Sequence, residues 1–225
     1  MVHTARVAVA RIGRVEIDPN TRVQLVESKG REHRMALERG TIHARIWAPP
    51  KFFFVNTAAA VAVDLGCAYT LQVDERGAGL LRVTDGWVGF ESQGREAFVP
   101  TGAMCATRPG VGPGTPRYED APSGYGEALD TIDFGGPAHP GRAAAYDLVL
   151  SHARRRDALT LWHLLSRGSV EERARVYERL AALAPPPPGV TREQILRGDR
   201  GELAWWWDTL GVDTGTWWKL LKKKW

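Results

Sequence analysis

The sequence has no long hydrophobic run. Its longest uninterrupted apolar stretch, Ala58 to Val63, stops at Asp64, well short of the roughly 20 residues a membrane-spanning helix requires. Met1–Val9 lacks the continuous apolar core of a signal peptide, so a targeting or anchoring segment is expected outside this chain. Cysteine is scarce. Cys67 and Cys105 stand 38 residues apart, and neither has a second Cys or a nearby His at zinc-ligand spacing. Two cysteines do not fix a redox compartment. An oxidising setting would allow a Cys67–Cys105 disulfide; otherwise both serve as small buried thiols.

The usual signatures of catalysis are also missing. No Gly-x-Ser-x-Gly elbow exists; Pro122-Ser123-Gly124-Tyr125-Gly126 only looks similar and lies in a Pro/Gly-rich segment. Gly110, Gly112 and Gly114 alternate, but no Gly-Lys-Ser/Thr ending follows, and Pro113 and Pro116 remove amides that a phosphate would use. His152 and His163 fall on nearly one face of an expected helix, yet about 16 Å apart along its axis, too far to share an ion. The carboxylate pairs Glu119/Asp120 and Asp130/Asp133 have nothing to place them across a cleft. The expectation is a protein without catalytic residues, metal or cofactor.

What is present is ordinary for a globular chain of 225 residues: 44% hydrophobic, 25% charged and a net charge of +4. That length suits one or two domains. The mild positive charge permits anionic partners without demanding them.

The first part of the chain reads as β structure, with short alternating stretches ended by turn residues. Val7 and Val9 lead in, and Val15 and Ile17 precede Asp18-Pro19-Asn20. Val23 and Leu25 follow, then Met35 and Leu37 up to Gly40, then Ile42, Ala44 and Ile46. The clearest alternation places Val61, Val63, Leu65, Cys67, Tyr69, Leu71 and Val73 on one face, which predicts a long strand with a bulge or bend at Gly66. Asp74–Gly77, Asp85-Gly86 and Gln93-Gly94 predict turns into further strands. Such spacing predicts an antiparallel β-sandwich or jelly-roll-like domain over residues 1–134. Residues 107–137, rich in Gly and Pro, read as a loop covering the sheet.

Beyond Gly135-Gly136-Pro137 the pattern turns helical, which predicts an α-helical C-terminal domain over 135–225. Helices are expected near 142–167, 170–184, 192–197, 200–210 and 215–222. Ser169, Thr191 and Asp199 each stand three residues before a Glu or Gln, the arrangement of a capping box. Pro185–Pro188 and Gly211 mark stops. His152–Arg156 reads as the solvated side of a helix rather than a nucleic-acid patch. The C-terminal mixture of Trp217, Trp218, Lys222–Lys224 and Trp225 suits weak contact with a membrane surface, or folding back with a solvated Lys tail. Trp205-Trp206-Trp207 point in three directions on a helix, so at least one should meet another element or a partner. Trp206, Trp217, Trp218 and Trp225 are the candidate interface residues.

The run Phe54–Leu71, followed by Leu81–Val88 and Val99-Pro100-Thr101-Gly102, resembles the FecR domain in an ordered series of motifs. Ala58 stands where that family has Pro, Asp64 where Arg is common, Cys67 for Thr, Tyr69 for Phe and Asp85 for Glu. The resemblance covers residues 5–105. It implies a periplasmic or otherwise extracytoplasmic β domain, usually anchored by a membrane helix. In the best-known members it belongs to an iron-siderophore relay in which an anti-sigma factor responds to an outer-membrane receptor. The family has no catalytic residues to carry over. The resemblance therefore implies a non-enzymatic signalling module with a protein partner in the cell envelope and no nucleic acid. The alternative is a cell-envelope structural or glycan-binding module.

Overall fold

The computed structural model describes residues 4–30, 32–92 and 94–212. They form a mainly β N-terminal region followed by α-helices, as the alternation and capping patterns predict. The compact units divide between Gly114 and Thr115, twenty residues ahead of the composition shift on which the boundary at 134/135 rests. The cause is an unforeseen helix within the Gly/Pro-rich segment, Tyr125–Phe134. Its Tyr125, Leu129 and Ile132 are buried among the other helices, so this stretch is core rather than a loop cover.

The β unit contains β1 (Ala5–Val9), β2 (Gly13–Ile17), β3 (Arg22–Lys29), β4 (Glu32–Ile46), β5 (Phe53–Asn56), β6 (Val61–Asp64), β7 (Ala68–Val73), β8 (Gly79–Asp85), β9 (Trp87–Ser92), β10 (Arg95–Pro100), β11 (Ala103–Arg108) and β12 (Gly112–Pro113). They lie in two sheets that share β4. The first runs β1-β2-β4-β7-β8-β11-β12, and the second runs β3-β4-β5-β6-β9-β10. All pairings are antiparallel except β4 with β5, which is parallel; Pro49-Pro50 carries the chain back so that β5 starts beside the N-terminal half of β4.

Met35–Leu37 and Ile42–Ile46, expected as separate strands, belong to the single strand β4. Its buried residues change parity at the middle: Met35 and Leu37 are odd, whereas Ile42, Ala44 and Ile46 are even. The change marks the passage from one sheet to the other. Gly40 makes it at φ +96°, packed so closely on Thr21 that a Cβ would fall 2.4 Å from its Cα. The Thr21 hydroxyl also donates to the Thr41 carbonyl and accepts from the Thr41 amide.

The predicted long strand over Val61–Val73 is likewise two strands. β6 pairs with β5 and β9 in the second sheet, while β7 pairs with β4 and β8 in the first. The chain turns between them at Gly66 (φ +86°). Asp85-Gly86, read as a hairpin turn, is a second such corner, from β8 in the first sheet to β9 in the second. The Asp74–Gly77 turn does close a hairpin. Asp74 Oδ1 accepts from the amides of Arg76 and Ala78.

The helical unit comprises α1 (Tyr125–Phe134), α2 (Arg142–His152), α3 (Ala158–Leu164), α4 (Val170–Leu183), α5 (Arg192–Arg197) and α6 (Arg200–Thr209), with a 3₁₀ turn at Arg155–Asp157. The single helix expected over 142–167 is broken at Ala153, whose extended backbone ends α2. Ser169 and Thr191 form complete capping boxes with Glu172 and Gln194, and Asp199 accepts from the amides of Gly201 and Glu202. Tyr146, Leu161, Val176, Leu180, Ile195 and Trp206 are wholly buried in the shared core. No helix among the described residues is long and apolar enough to cross a membrane.

Candidate functional site

Cys67 and Cys105 are not brought together. Cys105 stands opposite Leu81 on β8, which stands opposite Leu71 on β7. Two strand spacings separate it from Leu71's strand, about 10 Å, and Cys67 lies four residues further along, about 13 Å. A disulfide needs Cα atoms within about 7 Å. Neither is in a disulfide, and both thiols are buried. Cys105 Sγ donates to the Gly114 carbonyl at 3.3 Å, and Cys67 Sγ donates to Asp64 Oδ2 at 2.8 Å. Burial pushes the Asp64 carboxyl up to about 7, against the lowering effect of the Cys67 thiol and the Gly66 amide. Burial, and then the neighbouring Asp64, push the Cys67 thiol up as well. These groups are sealed inside the corner, without a face for substrate.

Trp206 is also placed differently from its expected interface role. It is 0% exposed and donates its indole N–H to the Ala184 carbonyl at 3.1 Å. Trp207 is buried against Trp162 and His163. Of the three, Trp205 faces outward. Trp217, Trp218 and Trp225, and the helix expected at 215–222, lie outside the described residues.

The remaining candidate groups serve the helical unit. Arg154 and Arg156 both bind Asp120, at 3.0 and 2.6 Å, and Arg154 also holds the buried Asp157. Asp133 accepts from the Thr115 amide and from Arg167. His163 is buried and its pKa is lowered to about 3 by desolvation, then by Arg167; it stands on α3 and His152 on α2. Among the described residues, no group of three His, Cys, Asp or Glu side chains could hold a metal ion.

The surface that gathers charge is the outer face of the first sheet. Strand pairing sets two adjacent rows. One reads Arg6, Glu16, His43, Thr70, Arg82, and the next reads Ala8, Arg14, Arg45, Ala68, Asp85. The intervening residues Val15, Ile42, Ala44, Tyr69, Leu71 and Leu81 face the core and are buried. A hollow of about 180 Å³ opens on this face, with Arg14, Glu16, His43, Arg45, Thr70 and Thr84 in its lining. The reason is the short side chain of Ala68 beside the long Arg45. His43 is fixed at both ring nitrogens, by Thr70 Oγ1 at 2.9 Å and Asp18 Oδ2 at 3.1 Å. Glu16 is engaged by Arg6 at 3.1 Å. The polar residues that alternate with each apolar one are the signal in the sequence that would have found this face. Strand order, which a single sequence does not contain, decides which of them become neighbours.

No protein-family model matches the chain, and neither does any curated protein. Among solved structures, two crystal structures of a candidate anti-sigma factor from Parabacteroides distasonis ATCC 8503 are similar to it, each with a TM-score of 0.45 and 16% identity. The match covers 53% of this chain and 57% of that one.

Proposed function

We propose that this chain is a non-enzymatic protein-binding module of an extracytoplasmic signalling regulator of the FecR type. The observation that carries the reading is where the motif series falls. Phe54–Leu71, Leu81–Val88 and Val99–Gly102 span β5 to β10 and the turn after it. Their residues supply core side chains and three sheet-switching corners, at Gly66, Gly86 and Thr101-Gly102. They build a scaffold, and they leave the polar outer face of the first sheet open. By the same resemblance, the signal would pass from an envelope partner to a sigma factor, as in iron-siderophore relays. Affinity capture from an envelope extract, with fractionation of the full-length gene product, tests the reading. A specific protein partner and recovery in the envelope fraction are expected. A cytosolic product without a partner would overturn it.

A second reading, binding of cell-envelope glycans, draws on Trp47 and Trp205, which are 66% and 48% exposed and could stack on sugar rings. Titration with cell-wall fragments, followed by tryptophan fluorescence, decides it; an unchanged spectrum at millimolar ligand rejects it.

A further inference from the structure

The geometry points to the outer face of the first sheet as a docking surface for an acidic segment of a protein partner, with the carboxylates seated between Arg14, Arg45 and Arg82. The inference rests on the protein-binding reading and adds the chemistry of the partner.

Arg14 on β2 and Arg45 on β4 are directly opposed in register on the same face. Their Cβ atoms are therefore about 5 Å apart, and like charges in that position destabilise a sheet. Neither forms an ion pair among the described residues, and Asp85, the acid in the same row, stands beyond Ala68, two strands from Arg45. Glu16, the next residue on that face of β2, is drawn to Arg6, and Asp18 is occupied by His43. Arg14, Arg45 and Arg82 have no ion-pair or hydrogen-bond partner among the described residues. Arg14 and Arg45 line a concave surface that also presents Glu16, Thr70 and Thr84, and Arg82 stands beside it, opposite Thr70 on the next strand. A guanidinium fork matches a carboxylate in geometry and charge. The basic groups extend over three strands, β2, β4 and β8, which spans about 15 Å. That is the reach of several consecutive acidic residues, and more than one small anion would cover.

The test is titration of the full-length chain with an acetylated hexaglutamate peptide, followed by amide chemical shifts, with hexalysine and inorganic phosphate as comparisons. Saturable shifts on β2, β4, β7 and β8 are expected, weakening severalfold as salt rises from 50 to 300 mM, and absent with hexalysine. Arg14→Ala and Arg82→Gln should each weaken binding about tenfold. Arg45→Glu should abolish it and raise the melting temperature at low salt, because it converts a like-charge pair into an ion pair. Absence of saturable shifts at millimolar hexaglutamate overturns the inference. So does a phosphate response that matches or exceeds the peptide's, or unaltered peptide binding by Arg45→Glu. If an envelope partner is captured equally by wild type and by Arg45→Glu, this surface is not its dock, and the proposed function stands. If hexaglutamate binds as described but no envelope partner exists, the proposed function falls and the acid-binding surface remains.

Discussion

Gly86 and Gly66 lie back to back: a Cβ added to Gly86 would fall 2.1 Å from the Gly66 carbonyl oxygen. The contact joins two of the corners at which the chain crosses between sheets, β6 to β7 at Gly66 and β8 to β9 at Gly86. Both glycines have positive φ, +86° and +72°, so each corner requires a backbone that side chains disfavour. The neighbour that blocks a Cβ is backbone held in place by adjoining strands, and it cannot swing aside.

Gly86→Ala should therefore destabilise the β unit by about 2 kcal/mol or more, combining left-handed strain with the clash. Urea unfolding of the full-length chain measures it. Gly94→Ala is the control. Its φ is also positive, but nothing lies within 4 Å of its Cβ position, so the cost should be about 1 kcal/mol. Equal losses in the two variants would show that the packed corner adds nothing.

The corner also carries a pH dependence. Asp64 titrates near 7 in the folded chain, against an ordinary value of 3.8. The folded state favours its neutral form, so its contribution is intact at pH below 3.8 and is lost as pH rises through 7. A shift of this size amounts to on the order of 4 kcal/mol between those limits. Asp64→Asn keeps an acceptor for the Gly66 amide and cannot ionise. It should remove the fall in stability between pH 4 and 8, and it should be the more stable protein at pH 8. Parallel stability profiles for the two proteins over that range would refute this assignment.

Much of this architecture was legible in the residues. Ser169, Thr191 and Asp199 announced their helices because a cap is a local device, complete within four residues. The β class was legible for the same reason, since a period of two is local. The corners were not. Val61–Val73 keeps its odd-numbered apolar pattern through Gly66, so one strand and two strands on different sheets look alike. In β4 the parity does change at Gly40, and that was the available clue to a sheet crossing. The charged face of Arg14, Arg45 and Arg82 joins residues up to 68 positions apart. It became visible only with the order β2-β4-β7-β8. The helix Tyr125–Phe134 was obscured by its glycine-rich surroundings; it starts at Gly124, without any side-chain cap.

The separation of the two cysteines predicts their chemistry. Native protein should react slowly with iodoacetamide, since burial and the Asp64 carboxylate hold the Cys67 thiol in its protonated form, and the thiolate is the nucleophile. Unfolding without reductant should release two alkylatable thiols, counted by mass. A single mass matching a closed disulfide would contradict the strand register that keeps Cys67 and Cys105 apart.

In the helical unit, Arg167 and Asp133 form an ion pair at 2.9 Å with side chains only 4% and 2% exposed. Asp133 also accepts from the Thr115 amide at 2.6 Å and the Thr115 hydroxyl at 3.1 Å, so its carboxylate ties the start of the unit to the chain following α3. Replacing one partner of such a pair strands the other charge out of water, which costs about 3–5 kcal/mol. Arg167→Met keeps most of the side-chain volume and removes the cation. Arg167→Lys keeps a cation at the same place and should lose less stability than Arg167→Met. Near-ultraviolet circular dichroism follows this unit through its buried Trp206 and Trp207. The expected result is an unfolding midpoint lowered much more in Arg167→Met than in Arg167→Lys. Equal losses in the two variants would mean that Arg167 acts through packing of its aliphatic stem rather than through its charge.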